Sequence, residues 1–186
     1  MMNHIDLSSV LRQTLACDLY SNLVTRPTGA AVRGQIEQML TVAGPRALTV
    51  IDFTHVSMID FSCADEVVAK LLIRYSSEDP PQDAYFLFRG VTEDHQDAIE
   101  AVLERHDLVA ALDDPEGVRL VGTLSNDERD AWKAACTLQG ATSTEIAQEM
   151  KCDAEIAERA LETLCRHRVM MRMDGDYVAV GSTRGG

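Results

Sequence analysis

Apolar residues in the first two-thirds of the chain form two kinds of pattern. The runs ALTVIDF (residues 47–53) and AYFLF (residues 84–88) are almost continuously apolar and rich in β-branched or aromatic residues, which is typical of strands buried on both faces of a sheet. Apolar residues three or four positions apart predict helices over residues 7–19, 30–42, 60–75 and 92–105. Strands that alternate with helices predict an α/β fold, a sheet with helices packed on it.

The pattern changes after Thr123. Ser125 and Glu128, and then Thr142 and Glu145, have the spacing of capping boxes that begin helices. Asp153 precedes a third apolar-periodic segment, and two short apolar runs follow around the turn Asp174-Gly175-Asp176. Three helices followed by a hairpin is the order of a winged helix-turn-helix. We therefore expect an α/β domain over residues 1–122 and a small winged-helix domain over residues 123–186.

Charge is distributed unevenly between these two parts. The chain of 186 residues has a net charge of −13. Residues 1–122 contain nine lysines and arginines against nineteen aspartates and glutamates, a net charge of −10, and the remainder is −3. Because acidic surfaces repel phosphate backbones, we expect the first domain not to bind nucleic acid and the second to bind it poorly.

Composition favours a cytoplasmic protein that is not an enzyme. The cysteines are odd in number and widely spaced, so neither a disulfide framework nor a zinc site is expected. The N-terminal segment is interrupted by Asp6 and Arg12 and does not have the pattern of a signal peptide, and no apolar run is long enough for a membrane helix. We find no phosphate-binding loop, nucleophile–base pair or metal-ligand spacing, and predict neither catalytic residues, metal nor cofactor. The histidines lie in separate predicted elements, and His95 and His106 are expected to be exposed helix residues.

Residues 47–72, ALTVIDFTHVSMIDFSCADEVVAKLL, carry a family resemblance. They resemble STAS domains, named for sulphate transporters and anti-sigma factor antagonists, and especially the divergent STAS-like group. In these families a core strand ends in an aspartate and a second aspartate starts a helix whose first turn carries a regulatory serine. Asp52, Asp60 and Ser62 occupy these places, and Arg26 and Gly29 match the Arg-x-x-Gly of the STAS-like group. The resemblance implies a STAS-like fold and a regulatory function.

Ser62 has two interpretations. A phosphate at the start of a helix would meet free backbone amides, which favours a phosphoacceptor. The alternative is a simple helix cap that accepts a hydrogen bond from the amide of Ala64 or Asp65. Asp52, Asp60 and Asp65 are the expected neighbours of this switch site, with Asp52 ending a strand and Asp60 capping the helix rather than forming a catalytic pair. The typical glycine of the family motif is absent, and Asp65 adds negative charge.

The third helix of the C-terminal domain bears on whether that domain binds DNA. Its outward stripe consists of Glu155, Arg159, Glu162 and Arg166 and is flanked by Glu158. A recognition helix normally offers basic or amide side chains to the groove, and acidic ones repel the phosphate backbone. The candidate DNA contacts are Arg159, Arg166, His167, Arg168 and Arg172. The charge favours a protein-binding winged helix over a sequence-specific DNA-binding one.

Three functions remain open at this point. The first is a bacterial-type partner-switching adaptor for signal transduction, in which the STAS-like domain binds a protein, an ATPase or kinase of the anti-sigma type by resemblance, and the winged helix is an output or interaction module. The second is a transcription regulator that binds DNA through the winged helix. The third is a structural or assembly protein in which both domains form a homo-oligomer. The acidic third helix favours the first.

Overall fold

The computed structural model describes residues 2–15, 22–44 and 46–182. Its main sheet contains β1 (Met2–Asp6), β3 (Ala47–Asp52), β5 (Ala84–Arg89), β6 (Val109–Asp114) and β7 (Gly117–Gly122), in this order across the sheet. All neighbours are parallel except β6 and β7, which are antiparallel. The short strands β2 (Asn22–Leu23) and β4 (Met58–Ile59) pair separately, in parallel. The predicted α/β class, with a mostly parallel sheet, is confirmed.

Helices fill the connections between the parallel strands. They are α1 (Leu7–Leu15), α2 (Arg26–Ala43), α3 (Phe61–Ala64), a π-helical segment (Asp65–Lys70), α4 (Leu71–Ser76) and α5 (Glu93–Arg105). The π-helical segment lies within the single helix that the sequence predicted over residues 60–75. A π-helical insertion is rare and occurs frequently at functional sites.

Several boundaries differ from the predicted ones. Strand β1 was not predicted, because a five-residue strand with polar Asn3 and His4 has no clear apolar pattern. Helix α2 begins at Arg26 and not at Ala30, since Pro27 is tolerated in the first turn. The last part of the helix predicted over residues 7–19 lies outside the described residues.

The sheet buries different side chains on its two faces because successive strand residues point in opposite directions. Ile51, Phe86 and Phe88 face the helices of the first part of the chain, in one hydrophobic cluster. Val50 and Leu87 belong to a second cluster on the other face. Burial of β3 and β5 on both faces was predicted from their continuous apolar runs and is confirmed.

The C-terminal part of the chain covers the second face of the sheet. It consists of α6 (Asn126–Leu138), α7 (Ser143–Met150), α8 (Ala154–Arg166), β8 (Met170–Met173) and β9 (Asp176–Ala179), the last two forming an antiparallel hairpin. Trp132, Leu161 and Leu164 share one buried cluster with Val50 and Leu87 of the sheet. Both predicted capping boxes of this region are present.

One helix residue of α5 is placed differently from the expectation. The sequence suggested an exposed His95, but the ring is completely buried. Its Nδ1 accepts a hydrogen bond from the amide of Thr92 (3.1 Å), so Nε2 donates to the carbonyl of Val56 (2.9 Å). His95 therefore completes the capping box of α5 and joins this helix to the segment before β4.

Candidate functional site

Asp60 follows the short strand β4 and organises the start of α3. Its Oδ1 accepts hydrogen bonds from the amide of Cys63 (2.8 Å) and the hydroxyl of Ser62 (2.9 Å). Its Oδ2 accepts from the amide of Thr25 (2.9 Å), just before α2. Burial alone would raise the pKa of Asp60, but these hydrogen bonds outweigh it and lower the pKa. A single carboxylate thus connects the beginnings of α2 and α3.

Thr25 has an unusual backbone conformation at this junction. Its φ of 73° lies in the left-handed region, which is costly for a β-branched residue. The bond to Asp60 holds its amide, and its carbonyl accepts hydrogen bonds from the Cys63 Sγ (2.9 Å) and the Gly29 amide (3.1 Å). Strain of this kind is often found at binding and switch regions.

Ser62 is half-buried and is the second residue of α3. It does not cap the helix, since Asp60 occupies the N-cap and accepts the Cys63 amide; this corrects the cap alternative for Ser62 and confirms the cap role of Asp60. The lowered pKa of Asp60 makes this carboxylate a weak base. The pair therefore does not have the arrangement of an activated serine nucleophile, which needs a base matched to neutral pH.

Asp65 lies one turn further along and faces away from the Ser62–Asp60 hydrogen bond. Its Oδ2 binds Arg26 (2.7 Å) and its Oδ1 binds His106 Nε2 (2.7 Å). Burial disfavours the ionised carboxylate, but these two partners outweigh it and lower the pKa of Asp65. His106 is therefore not an exposed helix residue, as the sequence suggested, but a partly buried hydrogen-bonding partner of Asp65.

Glu66, adjacent to Asp65, is the most deeply buried acid of the region, with its side chain 2% exposed. Arg26 (2.7 Å), Arg33 (3.3 Å) and Lys70 surround its two oxygens. Burial raises the pKa of Glu66, and the three cations together lower it below its ordinary value. Arg26 thus bridges the two acids of the π-helical segment.

Close packing around Gly29 explains why the Arg-x-x-Gly pattern has a glycine at this position. A Cβ on Gly29 would lie 2.9 Å from Cys63 Cα and 3.0 Å from Glu66 Cβ, distances that real Cβ atoms do not show. Only glycine allows α2 to approach α3 and the π-helical segment this closely. Arg26 and Gly29 therefore act together. Arg26 neutralises the two buried acids, and Gly29 allows the helical segment that carries these acids to pack closely against α2.

Asp52 lies at the end of β3, as predicted, but shares no hydrogen-bonding partner with Ser62, Asp60 or Asp65 in the described part of the chain. Its Oδ1 accepts from the amide (2.8 Å) and hydroxyl (2.5 Å) of Thr54, and its Oδ2 contacts His4 Nε2 (2.8 Å). These bonds turn the chain after β3.

Two exposed apolar side chains, Met58 and Phe61, lie in the segment just before Ser62. Met58 is 48% exposed and Phe61 is 38% exposed, and the guanidinium of Arg105 lies 5.6 Å from the Phe61 ring centroid. We call Met58, Phe61, Ser62 and Arg105 the Ser62 surface. Apolar side chains next to a polar group and a cation are typical of protein-binding surfaces.

The C-terminal candidates for DNA contact lie on α8, just after it and on β8, and two of them, Arg166 and Arg172, line the same pocket. Arg159 and Arg166 are exposed on α8, close to Glu155 and Thr163 respectively. His167 is half-buried after α8, and burial lowers its pKa. Arg172 is exposed on β8, with its guanidinium 5.6 Å from the Tyr177 ring centroid.

Arg168 faces the sheet instead of solvent. Its Nε donates to the carbonyl of Tyr75 (3.0 Å), its Nη1 binds Asp83, and its guanidinium lies 5.6 Å from the Tyr85 ring centroid. This arginine therefore connects the C-terminal part of the chain to the first part and is not available to a phosphate.

Comparison with models of known protein families and with curated proteins finds no match for this chain. None of the helices in residues 2–15, 22–44 and 46–182 is long and apolar enough to cross a membrane. Within the same ranges, no group of three or more histidine, cysteine, aspartate or glutamate side chains could hold a metal ion.

Sequence reasoning missed most of the buried ion network. The spacing of Glu66 and Lys70, four residues apart on a helix, could have indicated one of its pairs. No sequence signal connects Asp65 with His106, 41 residues later, because their contact depends on how α5 packs. The sequence likewise gives no signal for the role of Arg168, since its partners lie 85 and 93 residues earlier.

Proposed function

We propose that this chain is a non-enzymatic adaptor that binds a protein partner through the Ser62 surface, with its C-terminal part as the output or interaction module. The observation that supports this most is the exposure of two apolar side chains, Met58 and Phe61, in the short segment that leads into Ser62. The resemblance of residues 47–72 to STAS domains points the same way. By that resemblance, the partner is an ATPase or kinase of the anti-sigma type.

The hydrogen bond from Ser62 to Asp60 supports a switch at this surface. A phosphoryl group on Ser62 would replace the donated hydrogen bond with negative charge beside a carboxylate that stays ionised. Asp60 also holds the amides of Cys63 and Thr25, so repulsion there would disturb the beginnings of both α3 and α2. A change on one hydroxyl would thereby alter the shape of the Ser62 surface.

DNA binding by the C-terminal part has less support. Glu155, Glu158 and Glu162 are exposed along α8, and acidic side chains on a recognition helix repel the phosphate backbone. Arg168 is occupied in an internal contact. Three arginines, on α8 and β8, remain for phosphate contacts. We therefore retain the adaptor as the proposed function, and a transcription regulator as the alternative that the experiment below separates from it.

The experiment compares partner capture by matched variants of the full chain. Phe61→Ala and Ser62→Asp should each reduce recovery of a specific partner from the native cell extract by about tenfold, since an apolar anchor in an interface contributes at least this much. Ile73→Ala is the control, because Ile73 is equally exposed (40%) but lies on α4. It should retain the partner. Equal recovery with all variants would contradict the proposal.

A second measurement addresses the alternative. Fluorescence anisotropy with labelled duplexes of different sequence at 150 mM salt, about physiological strength, should show only weak binding that is similar for all of them and increases as the salt is reduced. Tight, sequence-selective binding that Phe61→Ala leaves unchanged would favour the transcription regulator.

A further inference from the structure

A cavity of about 310 Å³ lies between the amino end of the sheet and strand β8. Met2, Leu48 and Tyr85 line one side. These three residues are register partners on β1, β3 and β5, so they form a row across three parallel strands on one face. Met171, Arg172 and Met173 of β8 form the other side.

The cavity exists because the C-terminal part leaves this corner of the sheet incompletely covered. Leu48 and Tyr85 belong to the shared hydrophobic cluster and are mostly buried, but both retain some exposure. Met2 and Met173 are about half exposed at its margin. Methionine side chains are flexible and polarisable, so they adapt to apolar ligands of different shape.

The charge of the residues that line this cavity is opposite to the net charge of the protein. The chain carries a net charge of −13, yet the charged residues that line this cavity are Arg46 and Arg172. Both guanidinium groups are exposed; Arg46 has only a long contact with Asp83 (3.5 Å) and Arg172 lies over the ring of Tyr177. Neither arginine is held tightly by a buried acid, so each can turn towards an anion. Guanidinium groups bind carboxylates through paired hydrogen bonds.

We propose that this cavity binds a small organic acid with an apolar body. The apolar part would lie on Leu48, Tyr85 and Met171, and the carboxylate would face Arg46 and Arg172. The volume is within the range of small-molecule sites, which occur preferentially where two parts of a protein meet. Because its two sides belong to the sheet and to β8, a bound acid would stabilise the contact between them. This site is independent of the Ser62 surface.

Calorimetric titration of the full chain with three eight-carbon probes tests the proposal. Octanoate should bind with a Kd of about 1 mM or tighter, 1-octanol about tenfold more weakly, and octylammonium not measurably. Because the three probes have the same eight-carbon tail and differ in their head group, the comparison separates recognition of the carboxylate from simple apolar binding. Absence of octanoate binding, or equal binding of octanoate and octanol, would overturn the proposal.

Variants of the two arginines locate the site. The double variant Arg46→Gln/Arg172→Gln should weaken octanoate binding about tenfold, the loss expected for charge-assisted hydrogen bonds, and leave octanol binding unchanged. The control Arg129→Gln/Arg159→Gln, which removes the same two charges from exposed positions on α6 and α8, should have no effect. Met173→Trp should fill the cavity and weaken both probes. If this control reduced octanoate binding as much as Arg46→Gln/Arg172→Gln, the binding would reflect net charge and not this cavity.

Discussion

At the scale of single residues, the carboxylates of the site differ in what holds them. Asp60 is bound by two amides and a hydroxyl, all uncharged. Asp65 and Glu66 are bound by cations of α2 and of the π-helical segment itself. The first arrangement leaves a hydroxyl at the surface, and the second neutralises charge inside the protein. Ser62 and Asp60 therefore belong to the proposed switch, whereas Asp65 and Glu66 keep the helices in place.

Replacing Glu66 tests this structural role. Glu66→Gln leaves Arg26, Arg33 and Lys70 around a neutral side chain, so we expect the free energy of unfolding to fall by about 2 kcal/mol. Urea denaturation measures this change. The control Glu155→Gln alters an exposed acid on α8 whose nearest cation is 4.0 Å away, and should change stability by less than about 0.5 kcal/mol.

The same variant should also change the response to acid. The pKa of Glu66 is lower in the folded chain than in the unfolded one, so the unfolded chain takes up this proton first as the pH falls. The contribution of the ionised Glu66 to the free energy of unfolding is therefore complete above about pH 5. It is lost as the pH falls through the pKa that Glu66 has in the folded chain. The stability of Glu66→Gln should depend less steeply on pH below that point; an unchanged slope would mean that the pKa of Glu66 is the same in the folded and unfolded chains.

At the scale of elements, the close approach of α2 to the π-helical segment decides where the ion network lies. Gly29 faces Cys63 and Glu66 directly, and α2 begins at the strained Thr25. Burial raises the pKa of Cys63 to about 12, so this thiol is a packing group and not a nucleophile. The two helices thus meet over small side chains, and the charged groups come together at the ends of that contact.

Two glycines of α2 provide a matched test. Gly29→Ala should destabilise the protein by about 2 kcal/mol, since the new methyl group would overlap Cys63 and force the helices apart. Gly34→Ala lies on the same helix with nothing within 4 Å of the new Cβ. It should stabilise the protein by about 0.5–1 kcal/mol because alanine favours the helix. Urea denaturation of both variants measures the difference, and equal effects would contradict the packing role of Gly29.

At the scale of the whole molecule, the C-terminal part of the chain packs against the first. It covers the second face of the sheet with Trp132 and α8 residues, and Arg168 binds Tyr75 and Asp83 on the first part. A division into residues 1–122 and 123–186 stays a prediction. If it is correct, the two domains share a core and are held together by at least one partly buried arginine, Arg168.

Arg168→Gln tests this contact. Arg168 is 18% exposed and its loss leaves the Tyr75 carbonyl and Asp83 without this partner, so we expect a loss of about 2 kcal/mol in the free energy of unfolding. Thermolysin should also cleave the variant faster between Val121 and Asp127. Arg159→Gln, exposed on α8, should alter neither quantity. Cleavage of Arg168→Gln at the wild-type rate would indicate that this arginine does not hold the two parts together.

The amino-acid sequence by itself determined the local elements of this protein. Continuous apolar runs indicated β3 and β5, and the capping residues Ser125 and Thr142 marked the starts of α6 and α7. These signals lie within a few residues of one another, so backbone geometry and burial are enough to interpret them. The aspartate that caps α3 was also found in this way.

Tertiary structure alone decided which distant groups meet. The contacts of Arg26 with Glu66, His106 with Asp65, and Arg168 with Asp83 join residues 40 or more positions apart. Their sequence spacing carries no signal, because each contact depends on helix packing and on the face of the sheet that each segment covers. For the same reason, the cavity between β8 and the row of Met2, Leu48 and Tyr85 is a property of the folded chain and of no single segment of it.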